Sequence, residues 1–226
     1  MTHRVQKLGA AFIVAVYLGA CASSGSKKSL MIADVDPIPL GSVAIAFDKL
    51  FSKTVDTQEV FLRYHPRDDT VSLEFRYQTI RYEQYWDRAG REKFVAAVRQ
   101  YHADFAERKL STKGSKSRTA YGKFQGRTEW GQFAFSTKAR SYPRVDLGYR
   151  FKGKSPYFTV IQREARDTSL PTAERDRMSL QITAYFTRKS ADDLSAFFDP
   201  SYLEEVLAYQ GIQVEGDEGL EAEPYF

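Results

Sequence analysis

Residues 148–155 read GYRFKGKS, which satisfies G-x-x-x-x-G-K-[ST], the pattern of a loop whose amides cradle nucleotide phosphates. Such a loop needs a strand before it and a helix after it, because the helix N-terminus supplies part of the anion site. Here Val145, Leu147, Tyr149 and Phe151 alternate with Asp146, Gly148, Arg150 and Lys152, so a strand runs straight into the motif. Pro156 follows it, and then Tyr157-Phe158-Thr159-Val160-Ile161, a β-branched and aromatic run that predicts a second strand. The four variable positions are bulky where a phosphate cradle favours small residues. Val43–Asp48, an apolar strand ending in an acid, offers a formal magnesium partner, but it precedes the loop in sequence instead of following it. The pattern therefore predicts strand–turn–strand, with Gly148 permitting a bend or close packing and Gly153 serving the turn, and no nucleotide.

Other chemistry is sparse. The three histidines are His3, His65 and His102, and the single cysteine is Cys21, which leaves no zinc-ligand set. No G-x-S-x-G occurs, and no serine has a histidine at a motif spacing. The acid pairs Asp68-Asp69 and Asp192-Asp193 fit a turn and a helix start. Two carboxylates brought together only in space would still suffice for hydrolysis, so that chemistry stays open. No catalytic, metal-binding or cofactor-binding residue is assigned, and no cofactor is expected. One charged feature does stand out. Arg108, Lys109, Lys113, Lys116, Arg118, Lys123 and Arg127 bring seven bases and no acid into one stretch, a candidate surface for an anionic partner. Tyr77, Tyr82, Tyr85 and Trp86 form an aromatic cluster that could stack a ligand, though packing under a helix or across a strand pair is the commoner use.

The N-terminus speaks of location. Arg4 and Lys7 precede an apolar run from Leu8 to Leu18, too short to cross a bilayer as a helix. Leu18-Gly19-Ala20-Cys21 then resembles the lipobox of bacterial lipoproteins. The resemblance implies cleavage before Cys21, a diacylglycerol on its sulfur and an acyl chain such as palmitate on the new amino terminus. Ala22 after the cysteine resembles the sorting pattern of outer-membrane cargo. Ala20-Cys21-Ala22 also fits an ordinary signal-peptidase site, which would release a soluble protein. A lone thiol makes no internal disulfide, and a lipid would cap it. Residues 1–20 are thus expected to be a signal peptide, and 21–41 a lipidated N-terminus and flexible tether. The destination is the cell envelope, with one face in the periplasm or outside the cell.

Residues 42–210 are expected to form one domain, and 211–226 an acidic tail. That tail makes the body more basic than the overall net charge of +4 suggests. In the body, Val60–Tyr64 and Thr70–Trp86 are strand-like around the turn Pro66–Asp69, and a phase slip near Gln78-Thr79 predicts a bulge or sharp bend. Arg91–Leu110 carries a helical stripe of Phe94, Val98, Tyr101 and Phe105. Period-two alternation fills the next eighty residues. Ser190 is placed as a helix cap, and Asp199-Pro200 as a second helix start. The order predicts an α+β fold: a strand-rich antiparallel sheet with two main helices packed on one face.

A non-catalytic binding or structural role in the envelope follows as the expectation. The alternatives are a lipid or lipoprotein carrier with an apolar cleft and a carboxylate-based envelope hydrolase. Expected partners are the membrane through the lipid anchor, with anionic headgroups, envelope glycan or another envelope protein at the basic surface. Nucleic acid and nucleotide are not expected.

Overall fold

The structure is a computed structural model and describes residues 35–49, 54–112, 117–131, 138–169 and 176–212. Cys21, the expected signal peptide and most of the expected tether and tail lie outside these residues. Strands β1 (Ile38–Asp48) and β2 (Val55–His65) form a long antiparallel hairpin, paired from Ile38↔Tyr64 to Asp48↔Val55. Ile38 is buried, so residues 38–41 belong to the sheet and not to the tether, where the sequence reading put them. β3 (Thr70–Tyr77) and β4 (Ile80–Trp86) follow. The phase slip at Gln78-Thr79 is a full reversal of the chain, not a bend within one strand: Tyr77 pairs with Ile80, and Gln78 takes the left-handed φ of 59° that a two-residue turn demands.

A ten-stranded antiparallel sheet results. β5 (Gly122–Gln125) pairs with β8 (Arg144–Lys152), while β6 (Arg127–Gly131), one residue further on, pairs with both β4 and β7 (Ala139–Ser141). The register Gly122↔Leu147 and Gln125↔Arg144 continues in step through Thr128↔Ser141 and Trp130↔Ala139. β5–β6 is therefore one strand broken at Gly126, and β7–β8 one strand broken at Tyr142-Pro143. Merging each broken pair turns ten strands into eight. They close into an up-and-down barrel through β9 (Ser155–Gln162) and β12 (Ile182–Phe186), which returns to β1 at Tyr185↔Ala46. The short ribbon of β10 (Ala165–Arg166) and β11 (Met178–Ser179) lies in the connection from β9 to β12.

An eight-stranded barrel is just wide enough for side chains to fill it or for one small ligand. This one is filled. Phe47 stacks on Phe75 with ring centres 4.8 Å apart, and Phe75 on Tyr82 at 5.8 Å. Gln162 reaches across the interior: its Oε1 accepts from Gln84 Nε2 at 2.7 Å and Thr128 Oγ1 at 2.8 Å, and its Nε2 donates to the Leu180 carbonyl. Among the described residues, a void between Ile45, Leu73, Gln84, Val160 and Ile182 is about 10 Å³, room for one water at most.

Among the described residues three helices are present in place of the expected two. α1 (Arg88–Ala106) lies against β4, β5 and β8; α2 (Arg188–Phe197) lies against β1, β9 and β12; α3 (Pro200–Tyr209) packs on α2. Phe94 of α1 sits among the rings of Trp86, Phe158, Phe186 and Phe198 and closes the end where β4 and β12 stop. Asp199 caps α3 ahead of Pro200, as its residue types require. Ser190 does not cap α2. Thr187 does, accepting from the Ser190 amide, because β12 runs directly into the helix and Asp192 and Asp193 then fall beyond the first turn.

The same device recurs a hundred residues earlier. Tyr85-Trp86-Asp87-Arg88 ends β4 and Tyr185-Phe186-Thr187-Arg188 ends β12, with the cap accepting from Gly90 and Ser190 respectively. Phe94 and Leu194 are the fully buried residues at the matching position. Four strands and a helix thus occur twice around the barrel.

Candidate functional site

The end of the barrel away from Phe94 is open. β2 begins at Val55 and β3 runs to Tyr77, yet their ladder starts only at Phe61↔Glu74. A cleft of about 490 Å³ occupies the resulting splay, lined by Phe47, Asp48 and Lys49 of the β1 end, Asp56 and Gln58 of β2, and Arg76, Tyr77 and Gln78 of the β3 end. Phe47 and Tyr77, buried, form its floor. Lys49 pairs with Asp56 at 3.7 Å across the hairpin. The Arg76 side chain is exposed and has no carboxylate partner among the described residues.

Asp48 joins this rim to a network on the outer wall. Its carboxylate accepts from Lys152 Nζ at 2.8 Å and Tyr185 Oη at 2.9 Å, with Arg150 3.6 Å away. Lys152 also lies 4.7 Å above the Tyr185 ring. Burial, then the bond to Asp48, raises the Tyr185 phenol above its ordinary range, so it holds its proton and acts as a donor. The two halves of the apparent nucleotide motif do meet here, but as an ion pair between Asp48 and Lys152 on a sheet. Lys154 stands exposed in the two-residue turn that joins β8 to β9, where Gly153 takes a φ of 62°. Gly148 is required for another reason. A Cβ on it would come within 2.1 Å of the Ser117 carbonyl oxygen, because the 3-10 turn Ser117–Thr119 lies directly on the strand.

One catalytic-looking pair exists that sequence spacing did not reveal: His65 Nε2 is 2.8 Å from Ser72 Oγ. Ser72 is fully buried, opposite Tyr85 across the strands, so its hydroxyl is closed to a substrate in this structure. The pair ties β2 to β3. Burial lowers the His65 pKa from 6.5, helped by Arg127 and Arg63 and opposed by Glu83 and Asp68. A depressed folded-state value means that the unfolded chain takes up the proton first. Stability from His65 is then complete above pH 6.5 and is lost as pH falls through its lower folded value. Between about pH 7.5 and about pH 5.5 the wild type should lose more melting temperature than His65→Gln; equal slopes would show that His65 is not the titrating group.

Acidic residues also come together on the outer wall. Glu74 and Glu83 face each other between β3 and β4, and Glu83 and Glu129 between β4 and β6. Like charges in such pairs repel, and bases answer them. Glu74 binds Arg63 at 2.7 Å and Arg81 at 2.6 Å, which outweigh burial and lower its pKa. Glu129 binds Arg140 at 3.0 Å, and Lys138 lies 3.4 Å from Glu83. These carboxylates are spent on neighbouring cations.

Of the seven bases in the stretch from Arg108 to Arg127, Lys113 and Lys116 lie outside the described residues. Arg108 follows α1 in a left-handed conformation, Lys109 pairs with Glu107, and Arg118 lies in the turn over Gly148. Lys123 stands opposite Asp146, and the guanidinium of Arg127 lies 3.8 Å over the Tyr85 ring. Tyr77, Tyr82 and Trp86 face the core, and only Tyr85 of that cluster faces outward. Of the cleft residues, the sequence had singled out Tyr77, in its aromatic cluster, and Phe47 and Asp48, in the strand Val43–Asp48, whereas Lys49, Asp56, Gln58 and Arg76 went unrecognised. A signal was present: in β2 the inward positions Tyr64, Leu62 and Val60 turn polar at Gln58 and Asp56, which marks the mouth of a barrel.

Fold and site together define a filled eight-stranded antiparallel barrel, closed by helices at one end and carrying a charged cleft at the other. The chain belongs to the family described as "Uncharacterised Treponema protein", whose match spans residues 37–205, consistent with a bacterial origin. No curated protein and no solved structure matches it.

Proposed function

We propose that the protein is a lipid-anchored envelope lipoprotein whose barrel is a non-catalytic binding module, with the open mouth as its contact site. The observation that carries this reading is the free space among the described residues: a void of about 10 Å³ inside the barrel against a cleft of about 490 Å³ at the mouth. A carrier of lipid would need an enclosed apolar cavity of several hundred Å³, so the filled interior favours the binding module. A carboxylate hydrolase would need two acids free to act, and Glu83 and Glu129 are engaged with Lys138 and Arg140.

The anchor suits this arrangement. Acyl chains on Cys21 would hold the protein to the membrane, the outer membrane if the Ala22 sorting pattern applies. The tether enters β1 at Ile38, and ten strand steps of roughly 3.3 Å set the mouth about 30 Å further along that strand. The cleft therefore points away from the anchored end, towards soluble or neighbouring envelope partners. The basic stretch would give weak, salt-dependent attraction to anionic headgroups or glycan once the tether has brought them near.

Two coupled measurements test the proposal. Cys21→Ala should abolish fatty-acid labelling and move the protein to the soluble fraction. A photo-crosslinking residue at Gln78 should capture a partner in cells, while the same residue at Glu92, on the exposed face of α1, should not. A wild type that is unlabelled and soluble defeats the anchor, and equal capture from both positions defeats the mouth as the site.

A further inference from the structure

Gln58 does something unusual at the mouth. Its Nε2 donates to the Arg76 carbonyl at 2.6 Å, and its Oε1 accepts from the Arg76 amide at 3.1 Å. Donating to and accepting from the main chain of a single residue is what a strand residue does to its hydrogen-bonded partner in an antiparallel ladder. The side-chain amide of Gln58 therefore stands where a peptide group of a neighbouring strand would stand. It does so in the splay where no residue of β2 before Phe61 pairs with β3, although both strands continue. The cleft opens at that place and is bounded by Asp56 and Gln58 on one side and by Arg76 and Gln78 on the other.

We infer that the mouth recognises an extended polypeptide segment, whose backbone displaces the Gln58 amide and pairs with Arg76 at the end of β3. This rests on the reading of the mouth as the binding site and names its ligand class. Had the ladder kept its register, Gln58 would face Tyr77, so the splay covers three residue positions of β3, Phe75 to Tyr77, roughly 10 Å of extended chain. That is enough for a short strand, and a helix is a poor fit because its backbone groups are already paired within itself. Main-chain pairing supplies affinity with little regard to sequence. Selectivity falls to the rim, where Asp48 and Asp56 alternate with Lys49 and Arg76 and would favour a segment carrying both signs of charge.

The probe is a short capped peptide in which threonine alternates with lysine and glutamate in turn, compared with the same peptide N-methylated at alternate residues. The full-length protein should bind the unmodified peptide with a Kd on the order of 100 µM and slow hydrogen exchange at the Arg76 amide, while the N-methylated peptide should not bind. Gln58→Ala removes the competing amide, and affinity should rise about tenfold, since two hydrogen bonds no longer have to be exchanged. Equal binding of the two peptides, no binding to either the wild type or Gln58→Ala, or weaker binding to Gln58→Ala would overturn the inference. Crosslinking from Gln78 to a molecule that is not a polypeptide would overturn it too while leaving the mouth as the site; loss of that crosslinking would remove the site itself.

Discussion

Gly148→Ala should cost about 3 kcal/mol or more of folding stability and lower the melting temperature by roughly 6–12 °C for a domain of this size. The reason is steric. The added Cβ would sit 2.1 Å from the Ser117 carbonyl oxygen, 2.4 Å from the Arg118 carbonyl carbon and 2.6 Å from its oxygen. All three are backbone atoms, so no rotamer change relieves the contact. The 3-10 turn must lift off β8, and with it goes the Tyr121 amide bond to the Leu147 carbonyl, which docks the segment between α1 and β5. Tyr121 also donates to Asp104 of α1 at 3.0 Å, so the loss would reach the helix. Lys154→Ala in the same octapeptide should change stability by less than about 0.5 kcal/mol, because its side chain is exposed in a turn. Urea denaturation of both variants makes the comparison. A phosphate loop predicts the reverse emphasis, with Lys154 the residue that matters for nucleotide and Gly148 for the cradle. Micromolar ATP binding lost on Lys154→Ala would overturn the hairpin reading.

The second large effect belongs to Asp69. Arg91 of α1 is buried, its side chain 3% exposed, and it donates to Asp69 Oδ1 at 2.6 Å, to the Asp69 carbonyl at 2.5 Å and to the Trp86 carbonyl at 3.2 Å. Tyr64 donates to the same carboxylate at 3.2 Å. Burial, then the neighbouring Asp69 charge, pushes the Tyr64 phenol up to about 12, so it remains a donor throughout the working range. Asp69 itself takes a φ of 44°, a conformation that Asp and Asn tolerate better than other side chains. Asp69→Ala should therefore cost about 2–3 kcal/mol. It strands a buried guanidinium and strains the turn, although the two carbonyl bonds to Arg91 survive and the carboxylate was itself 44% exposed. Asp69→Asn keeps an acceptor oxygen and the backbone preference, and should cost about 1 kcal/mol. Chemical denaturation of the pair decides the matter; an alanine variant within about 0.5 kcal/mol of wild type would show that Arg91 is satisfied by the carbonyls alone.

Much of the fold was legible from residue types and their period. The alternation in Val145–Phe151 marked a strand, the Phe94–Val98–Tyr101 stripe marked α1, and Asp199-Pro200 marked the start of α3. These signals are local: a side chain's direction on a strand or helix depends only on its own backbone, so the sequence carries them directly. The same locality explains the rejection of GYRFKGKS as a phosphate loop, since the residues on both sides of the motif alternate. The resemblance of Leu18–Cys21 to a lipobox is likewise local, and the expectation it carries is read without reference to the folded body.

What the tertiary structure alone decided is relational. Barrel closure depends on β12 meeting β1 and on β5–β6 serving two neighbours at once, and no alternation pattern encodes which strand lies beside which. The duplicated strand–cap–helix unit was hidden because Trp86 and Phe186, Asp87 and Thr187, Phe94 and Leu194 share roles and not identities. Burial and capping conserve chemistry at a position while leaving the residue free to vary. The need for glycine at 148 comes from a segment thirty residues earlier crossing the strand. The mouth exists because β2 and β3 diverge after Phe61↔Glu74, and Gln58, an unremarkable residue in the sequence, fills the gap with its own amide. A site made by two strands parting is a property of their separation, and separation appears only once the chain has folded.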